Sequence, residues 1–214
     1  MTIRVLIADD HNVVAEGLRL LLAADKDIEV VGTARDGREA VRQAVELAPH
    51  VVLMDSTMPV LNGIEATRII RQRCPETRVV ILSVHADPMH VVRALRAGAS
   101  GYVPKSSAGR DVIEAIRAVQ AGRRYLHATI ADEVVEQLVE PTAGEDPIAL
   151  LSSRERQVLQ LVAEGKSVAD IASALSLSPR TVETYRARMM DKIGIRDVPG
   201  IVKFAIVHGL TSLD

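Results

Sequence analysis

Hydrophobic positions along the chain follow two rhythms. In the first part, short apolar runs at Ile3–Ala8, Ile28–Gly32, Val51–Met54, Val79–Ser83 and Gly101–Val103 alternate with longer amphipathic stretches. Those stretches are Val13–Ala23, Gly37–Leu47, Gly63–Arg73, Met89–Ala97 and Asp111–Ala121. Val14, Leu18, Leu21 and Leu22 recur at helical spacing, one apolar stripe on one helix. The short runs are continuously apolar, as strands of a parallel sheet covered on both faces are. Five strand–helix repeats predict a doubly wound α/β domain on a five-stranded parallel sheet. Pro104 lacks an amide donor, which makes the fifth strand the expected sheet edge.

After a possible helix over Ile130–Val139, the stretch Glu140–Pro147 holds two prolines, a glycine and three acids, the composition of a solvated linker. Beyond it the pattern is helical throughout: Ser153–Ala163, Val168–Ala174, Pro179–Ile193 and Pro199–His208. The divisions expected are residues 1–123, a helical extension and linker over 124–147, and a small all-α domain over 148–214.

Aromatics make up only 2% of the 214 residues, so the cores are aliphatic and base-stacking platforms are not expected. Net charge is −2 overall, but +2 from Leu150 onward and −4 before it, the asymmetry of an acidic regulatory part and a basic one. A single cysteine, Cys74, permits no disulfide framework. The N-terminus lacks a signal-peptide pattern and no apolar stretch reaches membrane length, so a cytoplasmic protein without membrane contact is expected.

The chemistry gathers where strands end. Asp55 closes the third run and Asp9-Asp10 follow the first. Carboxylates just past buried strands converge in the crevice at the carboxyl edge of a parallel sheet. Crowded acids repel unless a cation sits among them, and oxygen ligands select a hard ion such as Mg²⁺. Ser83 and His85 follow the fourth strand and Lys105 the fifth. Singly, such a Ser is usually a turn residue and such a Lys a solvated tip. Together, a hydroxyl and an ammonium beside Asp55 suit a phosphorylated carboxylate.

The segments Val5-Leu6-Ile7-Ala8-Asp9-Asp10-His11, Leu53-Met54-Asp55-Ser56-Thr57-Met58-Pro59 with Asn62-Gly63, and Gly101-Tyr102-Val103-Pro104-Lys105 resemble receiver domains of two-component response regulators. The resemblance implies a flavodoxin-like fold and phosphorylation of Asp55 by a cognate sensor histidine kinase. It implies Mg²⁺ ligated by Asp10, Asp55 and the backbone carbonyl of Thr57, with Asp9 acting through water. Ser83 becomes the switch hydroxyl, Lys105 the phosphate-pairing lysine and His85 the side chain at the switch position. Ser56 departs from the family, which usually carries an aliphatic residue there, and Thr57 flanks the path of attacking water.

In the helical part, Ser178 and Pro179 suit an N-cap and first helical residue. The helix they start turns Val182, Met189 and Ile193 inward, with Arg180, Arg186, Arg188 and Lys192 around its outer face. On spacing alone, a helix-turn-helix and a plain bundle with a basic face are equally good readings. Leu151–Leu159, Ala163-Glu164-Gly165-Lys166-Ser167, Thr181-Val182-Glu183-Thr184-Tyr185-Arg186 and Lys192-Ile193-Gly194 resemble LuxR-type DNA-binding domains, and the pairing with a receiver is that of the NarL/FixJ family. By that likeness Glu183, Thr184 and Ala187 face base edges of promoter DNA. Lys166, Arg186, Arg188 and Lys192 approach phosphates, and Thr181 belongs to the same set. Glu183 has a second reading, as an acid complementing the helix dipole.

The resemblance thus implies a transcription factor that binds double-stranded DNA as a homodimer. At rest its receiver would pack on the helical domain and cover the recognition helix or the dimer surface. Two rivals remain: a phosphohydrolase using Asp55 as nucleophile, disfavoured because Thr57 stands where such enzymes commonly place an acid, and a constitutive DNA binder. No enzyme beyond slow autodephosphorylation is expected.

Overall fold

All five residues of β3 (Val51–Asp55) are buried, as a central strand of a two-sided sheet must be. The computed structural model describes every residue except 1, 86, 108, 132, 133, 135–145 and 212–214. Around β3 the chain builds β1 (Ile3–Ala8), α1 (Asn12–Ala23), β2 (Ile28–Ala34), α2 (Gly37–Leu47), α3 (Gly63–Arg73), β4 (Arg78–Ser83), α4 (Pro88–Ala97), β5 (Gly101–Pro104), α5 (Gly109–Gln120) and β6 (Tyr125–Leu126). The strands run parallel in the order β2-β1-β3-β4-β5-β6. Alternate residues feed two cores: Leu6, Val52, Met54 and Ile81 on one face, and Val5, Ile7, Leu53, Val80 and Leu82 on the other.

The sheet has six strands where five were expected. Tyr125 and Leu126 pair with Gly101 and Tyr102, so β6 is the edge. Two residues are too few to show a period in the sequence. Pro104 lies past the reach of this pairing, where its missing amide costs nothing on that side. The helix expected over Ile130–Val139 and the linker after it fall largely outside the described residues.

Local chemistry fixes the turn behind Asp55. Gly63 donates its amide to the Ser56 carbonyl at 2.9 Å, and a Cβ there would stand 1.8 Å from the Asp55 carbonyl oxygen. Only glycine lets the chain pass so closely. Asn62 then caps α3 by accepting the Glu65 amide.

The second domain comprises α6 (Ser153–Ala163), α7 (Val168–Leu175), α8 (Pro179–Ile193) and α9 (Val198–Val207), around a separate core that includes Leu159, Ile171, Val182, Met189 and Ile201. Ser152 with Glu155 and Ser167 with Asp170 form capping boxes at α6 and α7. Ser178 caps α8 with Pro179 in its first turn.

The two domains meet through polar contacts made by α6. The Gln160 carbonyl oxygen accepts from the Asn62 backbone and side-chain amides at 2.9 and 3.0 Å, and its amino group donates to the Met58 carbonyl at 2.8 Å. Glu164 accepts the amide of Val60, which is held at a φ of +69°. That angle is strained for a β-branched residue, so the contact braces a conformation the loop would otherwise leave. Arg156 reaches Glu65 at 2.5 Å, and Ser153 bonds the same carboxylate. At the other end, Arg93 grips Asp146 through two bonds and donates to the His208 carbonyl.

His90 is buried at this seam, with its ring 4.9 Å from that of His85 and its Nε2 unbonded. A Cβ on Gly209 would touch that ring. Burial pushes its pKa down to about 4, helped by His85 and Arg93 and opposed by Asp87 and Asp146. As pH falls below the ordinary value of 6.5, an unfolded chain takes the proton and the folded one does not, so stability is lost progressively down to about 4. The His90 ring protons should titrate near 4 by NMR; a midpoint near 6.5 would mean the ring is solvated.

Replacing Arg93 and Gln160 together by Ala should separate the domains. The radius of gyration in small-angle scattering should rise while helical circular dichroism stays constant. An unchanged radius would show that other contacts hold the seam.

Candidate phosphoacceptor site and DNA-reading helix

The register places the site. Because β1, β3, β4 and β5 are neighbours, Asp9, Asp55, Ser83 and Lys105 emerge side by side at one edge. Asp55 is 3% exposed and Asp9 2%. Lys105 Nζ lies 2.8 Å from Asp55 Oδ2 and 2.9 Å from Asp9 Oδ2, so one ammonium bridges both buried carboxylates. Burial pushes the Asp55 pKa up to about 6; Lys105 opposes this and Asp9 adds to it. Burial alone would lower the Lys105 pKa, but the charge of Asp55 and hydrogen bonds to both acids outweigh it, and the net shift is upward.

Asp9, Asp10, His11 and Asp55 bring ligand atoms within 4.8 Å of one another. Asp10 Oδ1 is buried without a hydrogen bond, while Asp9 Oδ2 is met by the Lys105 ammonium. A carboxylate oxygen left unbonded in a crowded acidic cluster suits a hard divalent cation. His11 was not foreseen as a member. It occupies the N-cap position of α1 without a capping side-chain bond, its amide donates to Asp9 at 2.9 Å, and Nδ1 lies 3.1 Å from Asp10 and 3.9 Å from Asp55. The only hint in the sequence was its place directly after the acid pair.

Ser83 is fully buried, and its Oγ accepts the His85 amide at 3.0 Å. The His85 carbonyl accepts from the Tyr102 hydroxyl at 2.6 Å, so Tyr102, another residue not singled out, anchors the segment after β4. Ser56 is buried too, with its hydroxyl 2.7 Å from that of Ser83. Thr57 donates its amide to Asp55 Oδ1 at 3.3 Å.

On α8, Glu183, Thr184, Ala187 and Arg188 are exposed along one face, while Val182 and Met189 are fully buried on the other. Lys166 is exposed just before α7, and Arg186 is half-buried. Thr181 is tied into the cap, bonding Ser178 through both its amide and its hydroxyl. Lys192 is not a free cation: its Nζ lies 2.7 Å from Glu155, the acid of the α6 capping box. The domain contacts, made by α6 and by Arg93 with His208, leave the exposed face of α8 uncovered, contrary to a resting state that buries the recognition helix. The outer side of α9 is apolar and open as well, with Val198 43% and Val207 69% exposed.

Comparison with known proteins agrees with both halves. Residues 5–117 match the response regulator receiver domain, and residues 149–205 match the bacterial regulatory proteins of the luxR family. Response regulator UvrY of Escherichia coli is 39% identical over 212 residues, covering 99% of this chain and 97% of UvrY. Response regulator GacA of Pseudomonas aeruginosa is 37% identical over 210 residues, 98% of each chain. Among solved structures, RcsB from Salmonella enterica serovar Typhimurium, bound to promoter rprA with the phosphomimetic BeF3−, superposes with a TM-score of 0.66 at 26% identity, over 95% of this chain and 98% of that one. The receiver's acid edge and the helix-turn-helix therefore lie in one chain that belongs to the NarL/FixJ family of DNA-binding response regulators.

Proposed function

We propose that Asp55 accepts a phosphoryl group from the phosphohistidine of a sensor histidine kinase. A carboxylate oxygen forms the new P–O bond as the P–N bond breaks, and the kinase imidazole leaves. The observation that carries this reading is the bridge of Lys105 between Asp55 and Asp9, which keeps a buried carboxylate beside a cation able to pair a phosphoryl oxygen. Asp10, Asp55 and the Thr57 carbonyl would hold Mg²⁺, with Asp9 assisting through water. The ion would supply charge neutralisation for an in-line transfer. Ser83 would bond a phosphoryl oxygen, and His85 and Tyr102 would follow it, since both are tied to it through hydrogen bonds.

The chain is not a conventional enzyme. Thr57 supplies no acid two residues after Asp55, so only slow self-dephosphorylation follows.

Output would pass through the loop after Asp55. Gln160 and Glu164 bond the backbone of Met58, Val60 and Asn62, so a rearrangement around phosphoryl-Asp55 weakens the grip of α6. The second domain, set free, would pair with a second copy through the apolar side of α9 and read two half-sites of promoter DNA. Glu183, Thr184 and Ala187 would face base edges, and Lys166, Arg186, Arg188 and Lys192 would face phosphates. This assigns residues 1–123 to the receiver, 124–147 to a connector and 148–214 to the DNA-binding domain. Among the described residues no helix is long and apolar enough to cross a membrane, and a cytoplasmic location fits a promoter-binding protein.

Incubation with labelled acetyl phosphate and Mg²⁺ should place one acid-stable, base-labile phosphoryl group on the wild type and none on Asp55→Asn; equal labelling of both would remove Asp55 from this role. Lys192→Ala should weaken binding to every duplex alike and lower the salt slope of log K by about 1. A loss confined to one operator would place Lys192 at a base edge instead.

A further inference from the structure

Asp55 pairs with Leu82 across β3 and β4, which sets the next residues, Ser56 and Ser83, beside each other. The Ser56 backbone is held at both ends: its amide donates to the Leu82 carbonyl at 3.0 Å, and its carbonyl accepts from Gly63 at 2.9 Å. Its hydroxyl is therefore aimed at Ser83, at 2.7 Å, with both side chains buried. The other neighbour of the Ser56 hydroxyl, Thr57 Oγ1, lies 3.4 Å away, the far limit of a hydrogen bond.

A serine hydroxyl has one proton and two lone pairs. At Ser83 one lone pair is taken by the His85 amide. Ser56 Oγ, at 2.7 Å, is an acceptor within reach of the Ser83 proton, and the Tyr102 hydroxyl, whose own proton goes to the His85 carbonyl, is a second neighbour of Ser83. We propose that Ser56 is a positioning residue for the switch: its hydroxyl accepts the Ser83 proton at rest, and so sets how strongly a phosphoryl group on Asp55 must pull to capture Ser83.

On phosphorylation the bond between the two serines breaks. Ser83 turns its proton to a phosphoryl oxygen, a charged acceptor that binds roughly twice as strongly as a neutral one. Switching is thus an exchange of one bond for a better one, not the first satisfaction of an orphaned hydroxyl. An aliphatic residue at position 56 would take this acceptor away from the Ser83 proton at rest and make capture easier. Ser56 raises the threshold of this chain's response.

This inference rests on Asp55 as the phosphoacceptor, and a BeF3− titration in Mg²⁺ separates the two claims. The His85 amide resonance, which reports directly on Ser83, follows binding in the full chain. Ser56→Ala should lower the half-saturating BeF3− concentration by about five-fold, the effect of one neutral hydrogen bond removed from the resting state only. Ser56→Cys keeps a similar volume with a weak acceptor and should shift the midpoint in the same direction by less. In a Ser83→Ala background, Ser56→Ala should change the midpoint by less than about two-fold, since the coupling has lost its partner. Loss of folded protein would raise the midpoint, so tighter binding cannot come from instability. An unchanged or higher midpoint in both Ser56 variants, with a normal wild-type response, would overturn the role of Ser56. Absence of any wild-type response would overturn the phosphoacceptor assignment instead.

Discussion

Three carboxylates and one ammonium share the carboxyl edge of the sheet, and the rest of the molecule is arranged around that imbalance. Asp9 and Asp55 are nearly inaccessible, and the Lys105 ammonium bridges them. Charges buried without full compensation are costly, so the cluster is poised to take in a cation or to exchange charge for a phosphoryl group. The pKa of Asp55, raised to about 6, is the same tension expressed as proton affinity. Its neighbours keep the tension local: Gly63 closes the turn, Ser56 faces Ser83, and His85 links Ser83 to Tyr102.

From this edge the path to the DNA-binding domain is short. The loop that leaves Asp55 is the loop that Gln160 and Glu164 hold, and it carries the strained Val60. A backbone under strain and braced by another domain is suited to a two-state role, since it would relax if the brace or the site changed. The recognition face of α8 stays exposed in the closed arrangement, so restraint falls on the position and pairing of the second domain and not on the reading surface itself.

Much of this was legible in the sequence because it is periodic. Ile3–Ala8, Gly37–Leu47 and Gly63–Arg73 were bounded by their apolar rhythm, and the structure gives the same limits. The acids, Ser83 and Lys105 stood at strand ends, where topology dictates convergence. What stayed hidden has no period. β6 is two residues long, and the interdomain bonds join Gln160 to Asn62 and Arg156 to Glu65 across a span that no local pattern encodes. The partnership of Ser56 with Ser83 needs the register of β3 on β4, and that of Lys192 with Glu155 needs the packing of α8 on α6.

If charge at Asp55 is converted into dimeric DNA binding through the contacts between the domains, sedimentation of the full chain with an operator duplex should follow BeF3− and Mg²⁺. One chain per complex or none is expected without BeF3−, two chains per duplex with it, and two chains without BeF3− when Gln160 and Arg93 are both replaced by Ala. The same stoichiometry and affinity in all of these conditions would show that Asp55 does not control pairing on DNA.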